Sequence, residues 1–405
     1  MRRVVITGIG AITPLANNFQ DSWRSVKNGL SGIAGITHFD CPGVPWKTAG
    51  EVKNFAPGIF LRPKEALHFD SFVHYAIGAA LMAAGDAGFT RHDSSLPGSA
   101  GVIIGSSRGG IRSMEREFGR LYKTGHVSPH LMPSTTISMA ASAIAQKLGI
   151  RGHCLGISNA CASGANAVGE AYRMIRHAEA TVLFAGGSEA PLCRLCLEGY
   201  GRAGALSRKE AHLAGRPFHR ERDGFVLAEG AAVLVLEELT SALERGARIY
   251  GEVAGYGNTT DAFHMTKPDP EGEALAIRSA LKDAGIEEKE VDYINTHGTA
   301  TLSGDISEAD AIRRVFRERS SRIPASALKS MTGHMLGASG AFEAACTIMS
   351  IMEGVIPPTI KLDERDPDCS LNIVTEKKEA EINYAISNSF GFGGVNAVLV
   401  LKKHS

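Results

Sequence analysis

Ile157-Ser158-Asn159-Ala160-Cys161-Ala162-Ser163-Gly164 is the stretch on which the reading of this chain turns. An apolar run over 154–158 ends there, and a run of small residues with helical character over 163–177 begins at once. Short β-branched runs and Ala-rich helical stretches alternate on both sides of it, which is the pattern of an α/β protein. Strands are expected at 3–7, 100–104, 154–158, 181–185, 231–237, 250–256, 293–296, 384–387 and 397–401. Helices are expected at 21–28, 71–85, 138–148, 163–177, 271–284, 307–316 and 338–352. The charged stretch 244–248 is the best seam. It divides the chain into 1–247 and 248–405, each a mixed set of α/β elements, so two similar lobes are expected.

Size and composition narrow the function. A chain of 405 residues exceeds one ordinary core, which calls for two large lobes or two to three domains. The 43 Lys+Arg balance 43 Asp+Glu, so the electrostatic footprint of a nucleic-acid binder is missing. No apolar run reaches the ~20 residues needed to span a bilayer. The start, Met1-Arg2-Arg3 before an apolar run, is broken by Gly8, Gly10 and Pro14; it reads as a first strand entering a glycine turn rather than as a leader. Seven irregularly spaced cysteines, Cys41, Cys154, Cys161, Cys193, Cys196, Cys346 and Cys369, form no disulfide framework, and a cytoplasmic location is expected.

Four motifs offer chemistry. The turn at Cys161 puts a thiol at a helix N-terminus, where unpaired N–H groups and the helix dipole favour a thiolate and could hold an oxyanion; an ordinary buried cysteine fits the stretch equally. In Asn295-Thr296-His297-Gly298-Thr299-Ala300-Thr301-Leu302-Ser303-Gly304-Asp305 a strand delivers His297 to a loop of hydroxyls and glycines. Lys329-Ser330-Met331-Thr332-Gly333-His334-Met335-Leu336-Gly337 adds a second histidine and a lysine, with Glu343 on the next helix; the order of a P-loop is not met. Asn388-Ser389-Phe390-Gly391-Phe392-Gly393-Gly394-Val395-Asn396 joins the last two strands as a plain hairpin or a hinged lid. Cys193-Arg194-Leu195-Cys196 has no second ligand pair nearby, so no metal site is expected. The run 313–322 reads as a solvated helix face and its exit.

Together the four motifs, with Val4-Val5-Ile6-Thr7-Gly8-Ile9-Gly10, Arg216-Pro217-Phe218 and Arg222-Asp223-Gly224-Phe225, resemble the β-ketoacyl-acyl carrier protein synthases over the whole chain. The wording is most similar to the type II elongating enzymes: thiolases carry a second cysteine and initiating synthases an asparagine where this chain has the His334 motif. The resemblance implies a thiolase fold, two similar lobes in a five-layered α-β-α-β-α core, and a homodimer. It implies Cys161, His297 and His334 as the catalytic triad, with Lys329 paired to Glu343 and ordering the histidine loop. Backbone N–H groups of Cys161 and Phe392 would form an oxyanion hole. Phe392, between Gly391 and Gly393-Gly394, would be the gate, and Phe390 would line the substrate site. Thr299 and Thr301 would hydrogen-bond phosphopantetheine brought by acyl carrier protein. No cofactor is required; Asn295, Glu343 and Asn388 match a structural monovalent-cation site of some relatives.

The departures concern substrate and partner. Lys64 is kept, but Leu67, His68 and Gly204 stand where basic residues are common; Val395 replaces a threonine and Ala300 a serine. Arg108, in Gly105-Ser106-Ser107-Arg108-Gly109-Gly110, stands where the type II enzyme lines its acyl pocket with an apolar residue. It either limits the pocket or turns away to a carboxylate. The readings that follow are fatty-acid elongation, a relative specialised for polyketide or polyene chains, and a non-catalytic chain-length partner. A cysteine hydrolase would leave the second histidine and the lid motif unused.

Overall fold

Alternate residues of the inner strands face different cores, which is why these runs are apolar throughout. The computed structural model describes residues 1–40, 42–90 and 96–404, so Cys41 lies outside the described residues. Eleven strands form one mixed sheet: β1 (Val4–Ile12), β2 (Gly101–Gly105), β3 (Cys154–Ile157), β4 (Val182–Glu189), β5 (Gly230–Glu238), β6 (Gly251–Thr260), β7 (Tyr293–Asn295), β8 (Pro324–Ser326), β9 (Asn372–Ile373), β10 (Tyr384–Gly391) and β11 (Val395–Lys402). Their order is β9-β8-β7-β10-β11-β6-β1-β5-β4-β2-β3. Outward from the short β1–β6 pairing, each half runs first strand, last strand, next-to-last strand, second strand and third strand, and β9 adds a sixth strand at the edge of the second half. In each half two antiparallel pairings are followed by parallel ones. The similarity of the two lobes is therefore a repeated topology.

Helices α1 (Phe19–Lys27), α2 (Ser71–Asp86), α3 (Ile111–Thr124), α4 (Met139–Leu148), α5 (Ser163–Arg176), α6 (Arg194–Arg202), α7 (Pro270–Ala284), α8 (Leu302–Phe316) and α9 (Ser339–Glu353) complete the layers. Val102, Ile104, Val182 and Phe184 face α2 and α4 in one outer core. Ile103, Leu183, Leu399 and Leu401 face the central core with α5 and α9. Val398, Val400 and Ile386 face α7 and α8 in the other outer core. The result is the α-β-α-β-α thiolase fold. Among the described residues no helix is long and apolar enough to cross a membrane.

Every expected element is present, with shifted ends. The main correction is at Gly8 and Gly10, which lie inside β1 rather than in a turn. A Cβ there would come within 2.4 Å of Ala83 O and 2.0 Å of Ala79 O, so glycine lets the α2 backbone press against the strand. Helix α8 begins at Leu302, earlier than the expected 307, because the Thr301 hydroxyl caps it by accepting from Gly304 N at 3.2 Å.

The central helices meet at small residues. A Cβ on Gly164 would stand 2.4 Å from Gly337 O, and one on Gly340 would stand 2.9 Å from Ala165 Cβ. Gly164→Ala should therefore destabilise the fold by roughly 1–3 kcal/mol through overpacking. Chemical denaturation measures this, and an unchanged midpoint would mean that the two backbones are not in forced contact.

Candidate active site

Cys161 sits in a single 3₁₀ turn, Ala160–Ala162, between β3 and α5. Ala160 is held at φ 47°, a left-handed conformation that alanine avoids, so the turn projecting the thiol is strained. Gly391 packs tightly: a Cβ there would lie 3.2 Å from Cys161 N and 3.1 Å from Asn159 O, so the β10–β11 hairpin lies close against the turn. The Phe392 N–H hydrogen-bonds the Cys161 sulfur. Burial nevertheless pushes the thiol up to about 11, against the opposing pull of Lys329 and that N–H. The expected thiolate at the helix N-terminus is thus corrected: burial outweighs the turn, and the resting group is a thiol.

His297 and His334 arrive from the other lobe. The Cys161 sulfur and one ring nitrogen from each histidine lie within 4.8 Å of one another. The two rings are 5.4 Å apart and nearly perpendicular. Glu308 on α8 holds the first loop, accepting from His297 N at 2.7 Å and Gly298 N at 2.8 Å. His334 Nδ1 is 3.1 Å from Ser339 Oγ at the start of α9, and its Nε2 has no partner among the described residues.

Lys329 sets the electrostatics. Its Nζ donates to Glu343 Oε1 at 2.6 Å, to His297 O at 2.6 Å and to His297 Nδ1 at 3.2 Å. Three acceptors match the three protons of an ammonium. Accepting at Nδ1 leaves the His297 proton on Nε2, so the ring offers a donor. Burial, then the Lys329 charge, lowers both histidines well below their usual range, which makes them neutral donors at neutral pH. Glu343 is pushed up to about 7 by burial, with Lys329 pulling it back.

The same polarity argues against a metal on this cluster. A metal-bound histidine donates its other N–H to an acceptor. Here His297 Nδ1 accepts from a cation, the reverse arrangement, and its Nε2 carries a proton instead of a free lone pair.

A cavity of about 330 Å³ reaches Cys161, His297, Thr299, Thr301 and Phe392 from outside. Thr299 Oγ1 and Thr301 Oγ1 are 3.0 Å apart on its wall. The Phe390 ring stands 6.0 Å from His297. The hairpin turn is tied down by Gly393 N donating to Met265 O at 2.8 Å and Asp261 N donating to Gly394 O at 2.8 Å; Gly393 and Gly394 have positive φ.

Several site residues escaped the sequence reading. Tyr200 lines the cavity, Glu308 anchors His297, and Glu189 ties the lobes together. The Glu189 carboxylate is fully enclosed and accepts from Ser106 Oγ, Ser107 N, Arg108 N and Gly337 N. A glutamate closing a strand buried along its whole length was the available signal. Arg108 pairs with no carboxylate of the described residues; its Nε donates to Tyr200 Oη at 2.6 Å.

Comparison with known proteins gives this geometry its family. Residues 1–242 match the model of the beta-ketoacyl synthase N-terminal domain and residues 250–363 that of the C-terminal domain. The chain belongs to the β-ketoacyl synthase family. The 3-oxoacyl-[acyl-carrier-protein] synthase 2 of Synechocystis sp. is 43% identical across 100% of this chain and 98% of its own length. That of Coxiella burnetii is 42% identical, with 99% of each chain covered. Among solved structures, the ishigamide ketosynthase/chain length factor superposes with a TM-score of 0.94 at 36% identity, and AntDE:AntF, a type II polyketide-synthase acyl-carrier protein in complex with its ketosynthase bound to the hexaketide, with 0.91 at 35%; both cover 100% of each chain. Within this β-ketoacyl synthase, Cys161 alkylation by iodoacetamide should keep accelerating past pH 9, toward the raised thiol value. A plateau below pH 7 would instead reveal a resting thiolate.

Proposed function

We propose that this chain is a β-ketoacyl-acyl carrier protein synthase that performs decarboxylative Claisen condensation in fatty-acid elongation. One observation carries the reading: a buried thiol within 4.8 Å of two neutral histidines, one of them locked by Lys329. Cys161 attacks an acyl-carrier thioester; its proton leaves on the phosphopantetheine sulfur, so the exchange needs no permanent base. Malonyl-carrier protein then loses carbon dioxide, and its enolate oxygen takes hydrogen bonds from His297 and His334. The enolate carbon attacks the acyl carbonyl, whose oxygen is held by the N–H groups of Cys161 and Phe392. Cys161 is expelled as a thiolate and takes up one proton.

The remaining assignments follow the same scheme. Thr299 and Thr301 hold phosphopantetheine, Phe390 lines the channel, and Phe392 swings on Gly391, Gly393 and Gly394 as the gate. Lys329 and Glu343 are positioning residues. The lobes divide at 1–247, carrying the nucleophile, and 248–405, carrying the histidines and the gate. Asn295 Oδ1, Asn388 Oδ1, Glu343 Oε2 and Ser389 Oγ are buried without hydrogen-bond partners among the described residues, a donor set suited to a structural monovalent cation. A second copy is the natural cover for the edge strand β3, whose Cys154 and Leu155 are exposed, and we place the homodimer in the cytoplasm. A chain-length partner without chemistry would have no use for the whole constellation. A polyketide or polyene specialisation is the second reading, supported by the likeness to a type II polyketide-synthase ketosynthase over 100% of each chain.

Cys161→Ala should abolish the acyl mass adduct. His297→Ala and His334→Ala should still acquire an acyl group on Cys161, while releasing carbon dioxide from malonyl-carrier protein ~10²–10³ more slowly. Normal decarboxylation in either variant, or an adduct surviving Cys161→Ala, contradicts the scheme.

A further inference from the structure

We propose that Cys193 and Cys196, at the head of α6, form a reversible disulfide that slows acylation of Cys161. The effect on Cys161 rests on the reading above, in which that thiol takes the acyl group; the bond itself does not. Cys193 is the extended N-cap residue of α6, at φ −146° and ψ 164°, and Cys196 is the third residue of the first turn. An N-cap side chain turns back over that turn toward its third residue. The Cys193 thiol hydrogen-bonds with the Cys196 thiol and with the Glu115 carboxylate on α3. Glu115 also accepts from Leu195 N at 3.0 Å, so α3 holds the head of α6 in place. Both cysteines are free and buried.

The two sulfurs are unequal. The hydrogen bond with Cys196, then burial, raises Cys193 above the ordinary thiol range, so it keeps its proton. Cys196 receives that hydrogen bond, sits in the first turn of a helix and lies within electrostatic reach of the Arg108 guanidinium. It is the attacking sulfur. With hydrogen peroxide as oxidant, the Cys196 thiolate takes one oxygen, becomes a sulfenic acid and releases hydroxide. The Cys193 sulfur then attacks that of Cys196, the S–S bond forms and the second hydroxide leaves. The two thiol protons turn both hydroxides into water; two thiols lose two electrons and one peroxide gains them. A dithiol reverses the bond by exchange. The bond acts on the site through Tyr200, four residues beyond Cys196 on α6. Tyr200 lines the cavity that contains Cys161, and its ring lies 6.5 Å from the Phe392 ring and 5.6 Å from that of Phe225. Cys161, Cys193, Cys196 and Tyr200 share one buried apolar cluster, against which Phe392 packs. Drawing the two sulfurs to bonding distance tightens the head of α6 and thereby reaches the aromatic contacts of the gate.

The test treats the reduced parent with hydrogen peroxide, blocks the remaining thiols with iodoacetamide and digests with trypsin, which cuts after Arg194. The oxidised chain should yield the Cys193 and Cys196 peptides as one linked species that dithiothreitol separates. Acylation of Cys161 by an acyl-carrier thioester, read by intact mass, should fall in the oxidised chain by about tenfold, the scale of an ordinary coupling between two sites, and dithiothreitol should restore it. Cys193→Ser and Cys196→Ser should each be acylated at the rate of the reduced parent and should each lose the reversible response; either variant suffices should the other fail to fold. Absence of the linked species overturns the proposal. So does an equal acylation rate in the linked and reduced forms, or a reversible response kept in the serine variants, which would place the oxidation on Cys161 itself. No adduct on the reduced parent would instead sink the condensing reading, and the linked peptides would still decide the bond.

Discussion

The active site depends on one buried ammonium. Lys329 has three protons and three acceptors, two on His297 and one on Glu343, in a place where water cannot replace any of them. Losing one partner of such a group leaves an uncompensated buried charge, so the arrangement is held far more firmly than a surface ion pair. The consequence is chemical. A cation behind Nδ1 keeps the ring neutral and turns its remaining N–H toward the thiol, in the polarity that an enolate oxygen requires and a metal ion would reject.

The lobes bring those groups together by repetition. Each lobe places a tight turn before a central helix: Ala160–Ala162 before α5, and Leu336–Ala338 before α9. Both turns contain a non-glycine residue at positive φ, Ala160 at 47° and Leu336 at 44°. Strain of this kind persists only where surrounding structure over-determines it. Glycine contacts between α5, α9 and the second turn supply that constraint, and Glu189 reaches from the first lobe to Gly337 N of the second at 3.0 Å. The thiol and histidines are thus positioned by the same packing that joins the lobes.

Much of this was legible in the sequence because strand periodicity and loop wording coincide. The strand-to-helix switch at Cys161, the His297 loop and the Lys329–His334 run were each read at their true places. What was not legible has physical causes. Helix α3 was missed although its signal is in the sequence: Ile111, Met114, Phe118, Leu121 and Tyr122 recur at helical spacing, and in the single chain most of that stripe faces outward. The three-residue strand β8 starts with proline and is too short for any periodicity. The protonation of Cys161 was misjudged since a helix N-terminus is visible in sequence and the depth of burial is not. Arg108 could be placed on a loop, but its choice of a tyrosine over a carboxylate depends on side-chain packing between β2 and α6.

The neutral-donor account is tested most directly by ¹⁵N chemical shifts of the histidine side chains between pH 5 and 8. The account requires His297 to hold its proton on Nε2 and to stay neutral throughout, with the shift pattern lost in Lys329→Met. A His297 ring that titrates near pH 6.5 in the parent, or carries its proton on Nδ1, would contradict it.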